Sequence, residues 1–273
     1  MNWDSSKGCA LSSQGEVVEQ LRTFFEESGG QGVHIVDPPS KEVLFQHSCH
    51  PSLDLEVTDR AMASRAVNIV WRRSDNRLVG DNTDGEGLVW DVCSNLGVPL
   101  AAKSILVLGV GSESRSALLS LASQRPASLH LGYRPEEGAQ AQEIVSTLAR
   151  FTECPLQAIS LADDPAALPS YDIIIRVSRS GEDEEASPSL VPLSVLRQAQ
   201  MVYDATGETH DSGHALGTPL LQAARQSGVQ CVSGGLGMHI EQAAESFLVW
   251  RGIRPDTSTL LEDHQEEDQH ILR

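Results

Sequence analysis

The chain has 273 residues, 40% of them apolar, enough for one large domain or two modest ones with cores of their own. Its formal charge of −18 argues against non-specific binding to nucleic acid or to an anionic membrane, since both need clustered Lys and Arg. The five cysteines (Cys9, Cys49, Cys93, Cys154 and Cys231) are scattered and never form a C-x-x-C pair, so neither a disulfide framework nor a metal site is expected.

The first residues, MNWDSSKGCALSS, lack a basic stretch followed by an apolar core, so they do not read as a secretion signal. No apolar run approaches the ~20 residues that span a bilayer, and a cytoplasmic protein is expected. Glu16 to Ser28 places Val17, Leu21, Phe24 and Phe25 on one helical stripe, stopped by Gly29 and Gly30. Val33 to Val36 reads as a strand ended by Pro38 and Pro39, because proline cannot donate to a ladder. Residues 47–51 give no clear pattern, and a helix is expected from Leu55 to Ala63. Val67 to Trp71 and Arg77 to Val79 read as strands, and Gly85 to Leu96 as a helix ended by Gly97.

From Ser104 the texture changes. Ile105 to Leu108 is a continuous apolar run, as expected of a parallel strand buried on both faces. A helix (Arg115 to Ser123), a strand (Ser128 to Leu131) and a helix (Ala139 to Ala149) follow. Further strands are expected at Leu156–Ile159, Ile173–Val177, Met201–Asp204 and Gln230–Ser233, with helices at Leu216–Ser227 and Met238–Trp250. Strand alternating with helix at this rhythm means βαβ units and a parallel sheet. The acidic runs at Glu182–Glu185 and near the end of the chain read as solvated loop and tail. The fold class is therefore α/β: a C-terminal Rossmann-type parallel sheet preceded by a smaller α/β domain. The divisions expected are 1–100, 101–235, and 236–273, the last being a closing helix packed back on the first domain plus the acidic tail.

The strand 105–108 runs into Gly109-Val110-Gly111-Ser112-Glu113-Ser114-Arg115 and then a helix, the context a dinucleotide loop needs. Gly109 permits the tight turn; Gly111 lets backbone amides approach a pyrophosphate at a helix N-terminus. The third glycine of the fingerprint is missing. Glu113 beside a phosphate at ~4 Å would cost about 4 kcal/mol at an effective dielectric near 20, unless it points away or Arg115 neutralises it. At the end of the next strand an acid would suit NAD and a base NADP; the residues are Gly132-Tyr133-Arg134-Pro135, and Arg134 favours NADP.

Asp81-Asn82-Thr83-Asp84-Gly85 before a helix, Ala66-Val67-Asn68 upstream, Thr218-Pro219-Leu220-Leu221, and Gly235-Leu236-Gly237-Met238 leading to Gln242 together resemble the shikimate dehydrogenase family. The resemblance runs in order from about Glu16 to Pro255. It implies two α/β domains, the first binding substrate, and reversible NADP-linked reduction of 3-dehydroshikimate to shikimate, a step toward chorismate and the aromatic amino acids. It carries the family's catalytic lysine, at the end of V-T-x-P-x-K, onto Lys41, and the aspartate of N-T-D onto Asp84. Asn68 and Gln242 match substrate-binding amides. Gly109, Gly111 and Arg115 match the family's G-x-G-G-x-x-R, Arg134 matches the arginine of N-R-T, and Ser112 and Gly235 complete the expected cofactor site. A small-molecule substrate and a monomer or homodimer are implied.

The chemistry suits those residue types. Reduction of a carbonyl by hydride needs a proton at the developing alkoxide, and a buried lysine held by a carboxylate can give and retake it. For each residue an ordinary role competes: a solvated lysine, an N-cap aspartate, amides that satisfy backbone groups. There are also departures. The family opens with a serine pair, S-x-S, that grips the substrate carboxylate, and this chain starts too late to contain it, so the substrate domain is expected to be shortened. Asp37 replaces a threonine, and the family's N-A-T reads Arg176-Val177-Ser178. The alternative to an enzyme is a non-catalytic ligand-binding or regulatory homologue. A metal site at His210 and His214 is not expected.

Overall fold

A computed structural model describes residues 14–36, 38–48, 54–161, 168–177, 191–206 and 218–262. Ser5, Ser6, Ser12, Ser13, Asp37, Ser178, Glu182 to Glu185, His210, His214 and the acidic tail lie outside these residues. Contacts divide the chain into two units, 1–82 and 83–273. None of the helices among the described residues is long and apolar enough to cross a membrane.

The first unit opens with α1 (Gln14–Arg22), continued by a π turn over Thr23–Glu27. Its apolar stripe, Val17, Leu21 and Phe25, is buried against Val43 and Leu44 of α2 (Pro38–His47) and against Leu55, Ala61, Val67 and Val70. Four short strands form a mixed sheet in the order β1-β3-β4-β2: β1 (Gly32–His34), β3 (Ile69–Arg72), β4 (Leu78–Asp81) and β2 (Leu55–Val57). β1 and β4 run antiparallel to β3, and β2 runs parallel to β4.

Two expectations fail here for local reasons. Pro38 and Pro39 do not merely end a strand; they open α2, where a first-turn proline lacks only an N–H that has no intrahelical partner anyway. Lys41 therefore sits on a helix. Residues 55–63 are not one helix either. Leu55–Val57 pairs with β4, and α3 (Asp59–Ser64) starts only after Thr58, whose hydroxyl caps it by accepting from the Ala61 amide at 3.3 Å.

Among the described residues, the second unit carries six parallel strands in the order β10-β9-β8-β5-β6-β7. They are β5 (Ser104–Leu108), β6 (Ser128–Tyr133), β7 (Leu156–Ser160), β8 (Ile173–Arg176), β9 (Met201–Asp204) and β10 (Cys231–Gly234). Ile105 to Leu108 and Ile173 to Ile175 are each at most 1% exposed, which explains their unbroken apolar sequence. The order reverses between β5 and β8. In open α/β sheets ligands bind outside the carboxyl ends of the strands at such a switch point.

Helices described in this unit include α4 (Asp84–Trp90, with a π turn Asp91–Asn95), α5 (Ser112–Ser123), α6 (Gly138–Leu148), α7 (Leu193–Leu196), α8 (Pro219–Gln226) and α9 (Leu236–Arg251). α4 packs against both α5 and α9. Its glycines are the reason. A Cβ on Gly87 would lie 2.6 Å from the Met238 carbonyl and 2.7 Å from the Gln242 nitrogen, so the backbones of α4 and α9 meet there with no room for a side chain.

Candidate active site

At the switch point, β5 ends at Leu108 and Gly109 follows with φ +102°, a conformation that a Cβ would strain. Gly111 precedes α5. Ser114 fastens this turn, its Oγ accepting the Gly111 N–H at 3.0 Å and donating to the Gly111 carbonyl at 2.8 Å. Ser112 and Arg115 are buried in the first turn of α5, whose N–H groups and positive end favour an anion. Arg115 Nη2 donates to Glu143 Oε2 of α6 at 2.9 Å, while its Nε is a buried donor with no acceptor among the described residues. An orphaned donor one turn past the glycine loop fits a bound phosphate oxygen. Glu113 is half-buried in the same turn.

Beyond β6, Arg134 leads into a 3-10 turn, Pro135–Glu137. The Arg134 N–H donates to Glu137 Oε2 at 2.9 Å, and the Glu137 N–H returns to the Arg134 carbonyl at 2.9 Å. Glu137 thus spends its carboxylate on its own turn. The acid that could have held ribose hydroxyls is occupied, and the base at the strand end, Arg134, is half-buried beside it.

Asp84 opens α4 and is 3% exposed. The side-chain amide of Gln242, on α9, donates to its carboxylate. Thr83, just before it, hydrogen-bonds Ser246 Oγ of α9 at 2.8 Å, so the N-T-D stretch is fastened to α9 at two adjacent residues. At the head of α9, Gly235 lies so near the chain after β9 that a Cβ there would stand 2.5 Å from Ala205 Cα. A side chain at 235 would have to displace backbone.

In the first unit, Lys41 (5% exposed) and Asn68 (0%) are brought close through the main chain. The Val67 N–H donates to the Lys41 carbonyl at 2.9 Å. Asn68 itself extends the sheet, its N–H on the Asp81 carbonyl at 2.9 Å and its carbonyl accepting from Ile35 at 2.7 Å. The four polar residues inferred from the sequence therefore form two sets, Lys41 with Asn68 and Asp84 with Gln242.

Several contributors escape a reading of the sequence alone. Glu143, Thr83 and Ser246 act through partners far along the chain, and Ser114 through Gly111, three residues before it. Arg176, at the carboxyl end of β8, shows what its departure from N-A-T does: it forms a buried ion pair with Asp204 at 3.6 Å. Asp204 in turn accepts from the hydroxyls of Thr206 and Thr218, both at 2.6 Å. The signal for that cluster was present in the apolar strand MVYD, which ends on an acid.

No protein-family model matches the chain. The shikimate dehydrogenase (NADP(+)) of Nitrosomonas europaea is 33% identical over 253 residues, 92% of this chain and 83% of the relative. That of Aromatoleum aromaticum is 36% identical over 239 residues, 87% of this chain and 78% of the relative. Among solved structures, an Ael1 enzyme from Pseudomonas putida superposes with a TM-score of 0.75 at 30% identity, covering 92% of this chain and 84% of that one.

Proposed function

The chain belongs to the shikimate dehydrogenase family, and on that premise we propose that it is an NADP-dependent oxidoreductase interconverting 3-dehydroshikimate and shikimate in the cytoplasm. The observation that carries this reading is the buried Asp84 carboxylate, held by Gln242 of α9, at the start of α4, which packs against the helix that begins at the dinucleotide loop.

NADPH, when bound, supplies the hydride to the carbonyl carbon. Gly109, Gly111, Ser112 and Arg115 would hold its pyrophosphate and Arg134 its 2′-phosphate, with Gly235, closed against Ala205, completing the site. Lys41 gives a proton to the carbonyl oxygen as that oxygen becomes an alkoxide, and takes it back in the reverse direction. Asp84 supplies the carboxylate of the proton-transfer machinery, and Gln242 fixes it. Asn68 holds a substrate hydroxyl.

Shikimate and NADP+ added to the purified chain are expected to raise absorbance at the NADPH band, with NAD+ a poorer oxidant. Lys41→Ala is expected to lower kcat about a thousandfold with an unchanged circular-dichroism spectrum. NADPH binding without turnover of shikimate, or of quinate as the second substrate offered, overturns the substrate assignment and leaves a ligand-binding homologue.

A further inference from the structure

α4 begins without a local cap. Thr83, at its N-cap position, makes no side-chain capping bond, so first-turn N–H groups need other acceptors. One comes from another helix. Ser116 Oγ, on α5, accepts the Gly85 N–H at 2.9 Å, and one turn on, Ser120 Oγ donates to Glu86 Oε1 at 3.0 Å. Ser116 and Ser120 are both buried, and a Cβ on Gly85 would run into the Ser116 carbonyl and lie 2.5 Å from Ser120 Oγ. α4 and α5 are thus in backbone contact at the residue next to Asp84, and α5 is the helix that begins at the dinucleotide loop.

We propose that Ser116 is a positioning residue for Asp84, registering the carboxylate against the cofactor helix through the Gly85 amide. The inference rests on Asp84 having the role assigned above. Gln242 sets one side of the carboxylate from α9; Ser116 sets the height of the whole first turn from α5. Ser120 makes the useful contrast. It joins the same two helices with a bond of the same kind, but through the Glu86 side chain and not through the backbone beside Asp84.

The test compares Ser116→Ala, Ser120→Ala and Asp84→Asn in the full chain, reading NADPH affinity by titration, kcat and KM for shikimate, and the pH profile of kcat. Ser116→Ala is expected to lower kcat about tenfold and displace the pH profile, with NADPH affinity within twofold of wild type. Ser120→Ala is expected to lower the melting temperature while leaving kcat and its profile unchanged. Ser116→Cys, which keeps the side chain's size but offers a weak acceptor, repeats the Ser116→Ala result should alanine prevent folding. A wild-type kcat and pH profile in Ser116→Ala overturns the proposal, as does a loss of NADPH binding in proportion to kcat. Wild-type turnover in Asp84→Asn overturns instead the reading on which it rests.

Discussion

The two units hold their polar residues by different means. In the first, Lys41 and Asn68 are placed by main-chain bonds: Val67 to the Lys41 carbonyl, Asn68 to Asp81, Ile35 to Asn68. In the second, Asp84 and Gln242 are placed by side chains on helices: Gln242 to Asp84, Thr83 to Ser246, Ser116 to Gly85. A main-chain bond outlasts most substitutions of the residue that makes it; a side-chain bond is lost with its atoms. Single substitutions should therefore disturb the second arrangement more than the first.

Arg254 offers the largest effect. Its guanidinium bonds Glu241 Oε2 at 2.6 Å and Glu245 Oε2 at 2.8 Å and lies 4.1 Å from the centre of the Trp90 ring. Glu241 is 2% exposed and neighbours Gln242. Arg254→Ala leaves two carboxylates facing each other in the interior and is expected to cost about 3 kcal/mol in chemical denaturation. A loss within the error of the measurement would show that the Arg254 ion pairs do not hold α9.

Asp81→Asn is the matching test in the first unit. The Asp81 carboxylate takes Arg60 Nη2 at 2.5 Å, the Thr58 hydroxyl and the Asn82 N–H at 2.7 Å. Asparagine removes the charge, for about 2 kcal/mol, but leaves the Asp81 carbonyl receiving Asn68. Stability should fall, while KM for shikimate stays within a few-fold of wild type. A destabilisation as deep as that of Arg254→Ala, with KM raised tenfold, would erase the contrast between the units.

The same contrast explains what could be read from the sequence. β5 and β8 are legible because stretches buried on both faces, Ile105 to Leu108 and Ile173 to Ile175, are continuously apolar. In the first unit, β1, β3 and β4 are legible close to their places; β2 is not, and Thr58 in the middle of 55–63 carried the information that a strand ends and a helix begins there. At the site, the glycine loop and Arg134 are local patterns. The Asp84–Gln242 bond joins residues 158 apart, and only a resemblance to a family pointed to both. Ser116 and Ser120, four apart on α5, looked like ordinary helix residues until Gly85 and Glu86 supplied partners from α4.

The smallest effect concerns Asp91, where side-chain packing of the second unit meets pH. Asp91 is buried, 3% exposed, and accepts Tyr203 OH at 2.7 Å and Asn95 Nδ2 at 2.9 Å. Burial pushes its pKa above the ordinary carboxylate range; the bonds from Tyr203 and Asn95 oppose this, and the charge of Glu241 adds to it. Tyr203 OH also accepts the Met238 N–H at 3.2 Å, so the group sits where β9 meets the first turn of α9. A carboxyl whose folded pKa is raised binds its proton more tightly folded than unfolded. Its contribution to stability is complete below the unfolded pKa and is lost as pH rises through the folded one. Asp91→Asn carries no such proton. The stability of wild type relative to Asp91→Asn should therefore decline as pH rises from about 4 through the raised pKa, then level off once the carboxyl is ionised in both states. Denaturant midpoints of both proteins at a series of pH values read this directly. A difference that stays flat, or that favours wild type increasingly with pH, would mean that the Tyr203 and Asn95 bonds outweigh burial and that Asp91 is held as a comfortable anion.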